Sequence, residues 1–192
     1  MTNTTNNRFY EEVIIAGFGG QGIILAGRLL AQTAMKAGRE VTFMPSYGAE
    51  MRGGTANSMV VIADEPIASP LVSEPSSVIA MNKASAEKFG PRIKAGGLLV
   101  MNSSLVDKAP HIKQTVEVAA VPADQIAVEL GNQRCANMVA IGAYLEKRGL
   151  FGADAAAACL ADVLAERYHN TIPLNAEALR RGAEFVSPRC DS

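Results

Sequence analysis

Short runs of apolar, often β-branched residues alternate along this chain with segments in which apolar residues recur every three or four positions. The run EEVIIAG at 11–17 is typical of a buried strand, and QGIILAGRLLAQTAMKAG at 21–38 has helical spacing with Gly38 as its stop. Further strands are predicted at EVTFM, MVVIA, SSVIAMN, GLLVMN and TVEVAAV, with an extended return at PIASPL.

The remaining segments predict helices. KASAEKFGPRIKAG reads as a helix broken near Gly90-Pro91, and after Pro122 four helices are predicted at ADQIAVEL, CANMVAIGAYLEKRG, ADAAAACLADVLAERY and NAEALRRGAEFV. Alternation of strands and helices predicts an α/β fold, a Rossmann-like, doubly wound, mostly parallel sheet with helices clustered at the C-terminus. We expect one domain over 1–192, with 1–10 as a frayed tail.

Composition narrows the classes of function. The 192 residues carry 18 basic and 19 acidic side chains, with 5% aromatic residues and no tryptophan, so nothing favours nucleic acid or an anionic membrane as a partner. The polar N-terminus lacks the apolar core of a signal peptide, and no apolar run reaches the length of a membrane span. We therefore expect a cytoplasmic protein.

The three cysteines do not have the spacing of a metal or cluster site. There is no C-x-x-C pair among Cys135, Cys159 and Cys190. An iron–sulfur cluster normally takes about four closely spaced thiolates. Cys135 and Cys159 fall in predicted helices and are expected to be small core residues. No metal site and no catalytic residue are expected in this chain.

A glycine-rich turn between the first strand and the first helix is the first candidate site. It comprises Gly17, Gly19, Gly20, Gln21 and Gly22 and matches G-x-G-x-x-G. In this context the glycines allow a tight turn, close approach of a ligand and packing of helix on strand, while free amides of the helix face an anion. Three interpretations stay open: NAD, another anionic ligand, or a turn that only packs or contacts a subunit.

The NAD interpretation lacks one component. It requires an acidic residue roughly 20 positions on, at the end of the second strand, to hold the ribose hydroxyls. That predicted strand ends in Phe43-Met44-Pro45, with Glu40 at its start and Glu50 out in the loop. No Lys-Ser or Lys-Thr follows the glycines, which excludes a P-loop.

A second glycine cluster, SYGAEMRGGTAN at 46–57, reads as a loop. An arginine beside two glycines can direct a guanidinium and amides at a phosphate or carboxylate, although a plain ion pair between Glu50 and Arg52 would also suit a solvated turn. Because this loop and the glycine turn both follow strands of a parallel sheet, we expect them side by side at its carboxyl edge. The candidate ligand or interface residues of the loop are Ser46, Tyr47, Glu50, Arg52, Gly53, Gly54 and Asn57.

Together, GFGGQGIILAG and SYGAEMRGGTANSMVVIADEPIASP resemble the gamma subunit of the 2-oxoacid:ferredoxin oxidoreductases, which act on pyruvate, 2-oxoisovalerate, 2-oxoglutarate or indolepyruvate. The resemblance is densest over 14–82. It implies one subunit of a hetero-oligomer that decarboxylates a 2-oxoacid oxidatively, passing the acyl group to coenzyme A and electrons to ferredoxin.

The same resemblance implies where the cofactors lie. Thiamine diphosphate with its Mg²⁺ and the iron–sulfur clusters are expected on the alpha, beta and ferredoxin-like delta subunits, with no cofactor tightly bound to this chain. The chain agrees independently, since it has neither cluster cysteines nor an evident G-D-G thiamine motif. Engagement of coenzyme A by the glycine turn and the loop is the expected contribution. The alternatives are a stand-alone NAD(P)-dependent oxidoreductase and an assembly module without a ligand.

Overall fold

Strand β1 (Tyr10–Phe18) lies inside a six-stranded sheet in the computed structural model, which describes residues 9–48 and 55–188. The other strands are β2 (Glu40–Tyr47), β3 (Thr55–Ala63), β4 (Ser77–Ala80), β5 (Leu98–Asn102) and β6 (Glu117–Val121). The helices are α1 (Ile23–Lys36), α2 (Lys83–Phe89), α3 (Ala123–Glu129), α4 (Ala136–Arg148), α5 (Ala153–Ala157), α6 (Leu160–Val163) and α7 (Ile172–Val186). Short 3-10 helices cover Gly90–Arg92, Gln133–Cys135 and Glu166–Thr171.

The sheet has the order β2-β3-β1-β4-β5-β6 and is mostly parallel, as predicted. Strands β1, β4, β5 and β6 pair in parallel, whereas β3 is antiparallel to both β1 and β2. Because β3 is antiparallel to both of its neighbours, β2 runs in the same direction as β1. The exception to the parallel arrangement is β3, inserted between β1 and β2 as the second arm of a hairpin.

Several predicted boundaries in the first third of the chain are wrong. Ser46, Tyr47 and Asn57, expected in a loop, lie in β2 and β3, and PIASPL at 66–71 forms no strand. Pro45 signals a break, yet β2 is an edge strand, where a missing amide donor is tolerated. The polar start of β3 is paired on both sides, which overrides its low hydrophobicity.

Two hydrophobic layers flank the sheet. On one face Val13 and Ile15 of β1 pack with α1, α4 and α7, and on the other Ile14 and Ala16 pack with α2. The alternation follows from the two-residue period of a strand, which sends neighbouring side chains to opposite faces. Helices α1 and α2 therefore lie on opposite sides of the sheet.

The helices cluster at the C-terminal end of the chain, as predicted, and they pack on one face of the sheet with α4 against α7. The crossing is closest at two glycines: a Cβ atom on Gly142 would lie 1.9 Å from the carbonyl oxygen of Leu179, and one on Gly182 would lie 1.9 Å from that of Val139. The helix expected over 153–168 is interrupted, because the amide of Cys159 donates to Ala156 in a tightened turn between α5 and α6.

A buried carboxylate near the N-terminal end of β1 links this strand to α4. Glu11 is 1% exposed. Its Oε1 accepts hydrogen bonds from Ser77 Oγ at 2.6 Å, from the Tyr144 hydroxyl at 3.3 Å and from Arg148 Nε at 3.1 Å, and Arg148 also pairs with Oε2. Every oxygen of this carboxylate is thereby satisfied, as a buried charge requires.

Candidate functional site

Four strands deliver polar groups to the carboxyl edge of the sheet. Strand β1 leads into the glycine turn, β4 is followed by Asn82, β5 ends at Asn102, and β6 is followed by Asp124 in the first turn of α3. Since these strands are parallel, the four groups emerge on the same side. In doubly wound folds this edge is where ligands bind.

The glycine turn needs its glycines for separate reasons. Gly20 and Gly22 have φ values of 96° and 70°, in the left-handed region that residues with a Cβ seldom adopt. A Cβ atom on Gly17 would lie 2.6 Å from Ile23 Cδ1, so this glycine lets α1 pack on β1. Gly19 and Gly20 are exposed, and Gly20 has open space around it. The outer side of the turn is therefore accessible to a ligand.

The side chain of Gln21 folds back over the end of β1. Its Oε1 accepts a hydrogen bond from the Phe18 amide at 2.7 Å and another from Asn82 Nδ2 at 3.2 Å, and its Nε2 donates to the Met81 carbonyl at 3.2 Å. Asn82 in turn caps α2 by accepting from the Ser85 amide at 2.9 Å. Gln21 thus joins the ends of the two central parallel strands.

A second group of polar side chains continues along the edge. Asn102 donates to Asp124, and its Oδ1 accepts from the amide of Ala123 at 3.1 Å. Gln133 Nε2 donates to the other carboxylate oxygen of Asp124 at 2.8 Å. These bonds fix the start of α3 and the 3-10 helix at Gln133–Cys135 against β5.

Two clefts open beside the turn, and Arg134 lines both. One, of about 240 Å³, is also lined by Gly20, Met81, Leu105 and Asp124. The other, of about 260 Å³, lies between α1, the 3-10 helices and α7 and includes Gly22, Asn137, Tyr168 and Asn175. Within residues 9–48 and 55–188, no carboxylate pairs with the guanidinium of Arg134. An exposed cation with open space next to helix amides suits an anionic ligand.

The second glycine cluster lies partly at the same edge. Ala56 pairs with Gly17 and Tyr47 pairs with Ala56, so the β3 end of this segment lies next to the glycine turn and the β2 end lies one strand farther away. Tyr47 is 70% exposed, and Asn57 Oδ1 is buried without a hydrogen-bond partner among the described residues. Glu50, Arg52, Gly53 and Gly54 lie outside the described residues.

The strand order bears on the NAD interpretation. The neighbour of β1 on the relevant side is β3, so the carboxyl end of β2 does not adjoin the turn. The residues that end β2, Ser46 and Tyr47, carry no carboxylate, and Glu40 lies at the opposite end of the strand. A ribose-binding acid of the usual kind is therefore missing from the described part of this edge.

The two described cysteines are buried, as predicted, and poorly suited to hold a metal or cluster. The thiol of Cys135 donates to the Asn132 carbonyl at 3.0 Å and that of Cys159 to the Ala155 carbonyl at 3.4 Å. Burial raises the pKa of the Cys135 thiol, which disfavours the thiolate that binds metals. Among the described residues, no three His, Cys, Asp or Glu side chains come together as metal ligands.

No helix in the described ranges is long and apolar enough to span a bilayer.

Sequence reasoning missed most of the edge outside the turn. Asn82 and Asn102 both follow a methionine at the end of a strand, and this repeated Met-Asn pair was an available signal. No local sequence pattern marks Arg134 and Gln133 as site residues, because they reach this edge only through the path that the chain takes after α3.

The chain matches the family model described as pyruvate ferredoxin/flavodoxin oxidoreductase over residues 12–185. It is 38% identical over 142 residues to ketoisovalerate oxidoreductase subunit VorA of Methanothermobacter marburgensis, an alignment that covers 74% of this chain and 29% of that protein. It is 35% identical over 188 residues to 2-oxoglutarate synthase subunit KorC of the same organism, covering 92% and 96%. The chain thus spans less than a third of VorA but nearly all of KorC.

Solved structures agree with this. The keto/oxoacid ferredoxin oxidoreductase gamma subunit of Geobacter sulfurreducens superimposes with a TM-score of 0.77 at 29% identity, covering 92% of this chain and 98% of that one. The 2-oxoglutarate:ferredoxin oxidoreductase of Magnetococcus marinus, solved with 2-oxoglutarate, coenzyme A and succinyl-CoA, gives 0.81 at 28% identity, covering 92% of this chain and 31% of that one. Sequence and fold agree over nearly the whole described chain, which therefore belongs to the pyruvate ferredoxin/flavodoxin oxidoreductase family.

Proposed function

We propose that this chain is the gamma subunit of a 2-oxoacid:ferredoxin oxidoreductase, a complex that decarboxylates a 2-oxoacid and forms acyl-CoA. The observation that carries the proposal is the end-to-end match to proteins of one kind: the chain covers 98% of a solved gamma subunit and 96% of KorC. Relatives that contain this unit within a longer chain include VorA, of which it spans 29%.

Thiamine diphosphate, Mg²⁺ and the iron–sulfur clusters belong in this proposal to alpha, beta and delta subunits, and ferredoxin is the electron acceptor. The donor chemistry of the described residues supports that division, since both described cysteines are buried thiols bonded to backbone carbonyls. The chain's own contribution is to engage coenzyme A.

Coenzyme A carries phosphates, and the outer side of the glycine turn fits an anion. Gly20 is open, Gly22 is the N-cap of α1, which has no acidic residue in its first turn, and Arg134 lines two clefts without an ion-pair partner among the described residues. We assign Arg134 and the turn at Gly19–Gly22 to the phosphates of coenzyme A, with Arg52 as a second contact on grounds of sequence.

The test uses the assembled complex, purified from its native host and checked for partner subunits, thiamine and clusters. Arg134→Ala removes the guanidinium, and losing a hydrogen bond to a charged group costs about 1.5–3 kcal/mol, so the KM for coenzyme A should rise by about tenfold or more. Decarboxylation measured without coenzyme A should be unchanged. Arg181→Ala, on α7 and paired with Glu129, is the matched control.

An unchanged KM for coenzyme A in a fully assembled Arg134→Ala complex would leave the chain as an assembly module. Purification without any thiamine-containing partner would contradict the proposed function as a whole.

For the loop, Arg52→Lys should weaken assembly or the use of coenzyme A, because a lysine cannot reproduce the planar bidentate contact of an arginine.

A further inference from the structure

The crevice between β1 and β4 is the topological switch point of this sheet. These neighbouring strands are parallel, and the helices that follow them, α1 and α2, lie on opposite faces. In open α/β sheets such a crevice is the ligand position, and a G-x-G-x-x-G turn beside it ordinarily receives a pyrophosphate. In this chain the turn has the required glycines and the crevice lies beside it.

Gln21 occupies that crevice with its own side chain. Its Oε1 accepts a hydrogen bond from the Phe18 amide at 2.7 Å. The same oxygen lies 2.7 Å from the position that a Cβ atom on Gly17 would have. The carboxamide is held from the β4 side as well, by the Met81 carbonyl and Asn82 Nδ2, each at 3.2 Å. An amide at the end of β1 that could bind a phosphate oxygen is thus already bonded.

We infer that Gln21 is a specificity-determining residue whose carboxamide oxygen stands where a phosphate oxygen of a dinucleotide would bind, so that the glycine turn is closed to dinucleotides on its inner side. A phosphate and the carboxamide cannot share this space, because the oxygen already lies at contact distance from the strand. Ligands are thereby kept outside the Gln21 carboxamide, in the cleft of about 240 Å³ that Gly20, Gln21 and Met81 line. The inference rests on the contacts of Gln21 alone and holds whatever the proposed function proves to be.

The test measures ADP binding to the full chain by calorimetry and by the shift of the Phe18 amide in NMR spectra. In wild-type protein the Phe18 amide should stay bonded to Gln21, so ADP bound at the outer side of the turn should shift this amide less than in Gln21→Ala. Gln21→Ala should open the crevice, free that amide and bind ADP at least about tenfold more tightly, with a shift at Phe18. Gln125→Ala is the matched control, since Gln125 is exposed on α3 and bonds to Glu129.

A folded Gln21→Ala protein that binds ADP no better than wild type would overturn the inference. Wild-type protein supplies a second measurement if that variant fails to fold. The Phe18 amide should exchange with solvent at the same rate with and without saturating ADP or NADH, and ligand-induced protection of this amide would contradict a closed crevice. Neither measurement depends on the activity of the assembled complex. A failure of this inference is therefore distinguishable from a failure of the proposed function.

Discussion

At the scale of single residues, the buried carboxylate of Glu11 shows how much a side chain far from the candidate site contributes to the fold. Its partners Ser77, Tyr144 and Arg148 come from β4 and α4, so the carboxylate links three elements. Removing one member of a buried pair leaves the other charge without compensation.

Glu11→Leu should therefore lower the free energy of unfolding by about 3–5 kcal/mol, the range for a broken buried pair. Urea unfolding followed by circular dichroism measures this. Asp154→Ala, which breaks the exposed pair with Arg180 on the surface, is the control and should leave the urea midpoint nearly unchanged. Equal effects of the two variants would show that Glu11 is solvated in the native state.

Alkaline pH should reveal the same cluster. Burial, followed by the charge of Glu11, raises the pKa of the Tyr144 hydroxyl well above its ordinary value of about 10. Because the folded pKa is the higher one, the stabilisation is complete below about pH 10 and is lost as the pH rises above it. In urea titrations from pH 8 to 11, Tyr144→Phe should lose less stability above pH 10 than wild type. Parallel pH profiles of the two proteins would be inconsistent with a buried neutral tyrosine.

The residues of the candidate site were predictable to different degrees. The glycine turn was identified from local spacing, because the need for left-handed backbone at Gly20 and Gly22 leaves a direct trace in sequence. The role of Gln21 was not, since its partners Met81 and Asn82 are far along the chain. Arg134 was missed for the same reason.

At the scale of elements, the contact of α4 with α7 depends on two glycines. The Cβ atoms of alanines at 142 and 182 would each lie 1.9 Å from a carbonyl oxygen of the opposite helix, so the helix axes must separate. Backbone oxygens cannot move aside as a flexible side chain can.

Gly142→Ala and Gly182→Ala should each lower the free energy of unfolding by about 1–3 kcal/mol or more, the usual cost of overpacking. The double variant should cost less than the sum, because one separation of the helices accommodates both methyl groups. Thermal and urea unfolding of the three proteins measures this coupling. Strictly additive losses would mean that each alanine is relieved locally.

The hairpin of β2 and β3 was the element least visible in sequence. The residues from Pro45 to Ser58 predicted a long loop. Most of those described form strands instead, because β2 is an edge strand and β3 is paired on both sides. One signal was available: the segment 48–54 is too short for the helical crossover that joins parallel strands, so β3 had to be antiparallel. Strands β4 and β5 were predicted because their apolar runs are buried on both faces.

At the scale of the whole molecule, the chain should depend on partners for activity. Purified alone, it should be colourless and should not reduce a redox dye with a 2-oxoacid and coenzyme A, because the thiamine and cluster sites of the proposed function lie on other subunits. Visible absorption and dye reduction, before and after addition of the partner subunits, measure this. Dye reduction by the single pure chain would exclude the proposed division of labour.

The insertion of β3 between β1 and β2 also has a kinetic consequence. Gly48 and Thr55 close the hairpin neck with a 2.7 Å hydrogen bond, whereas β1 must find both β3 and β4 from far along the chain. Local contacts form sooner than distant ones, since less loop entropy is lost. The β2–β3 ribbon should therefore form early and act as the template on which β1 docks, and substitutions in β3 should slow refolding more than equally destabilising substitutions in β6.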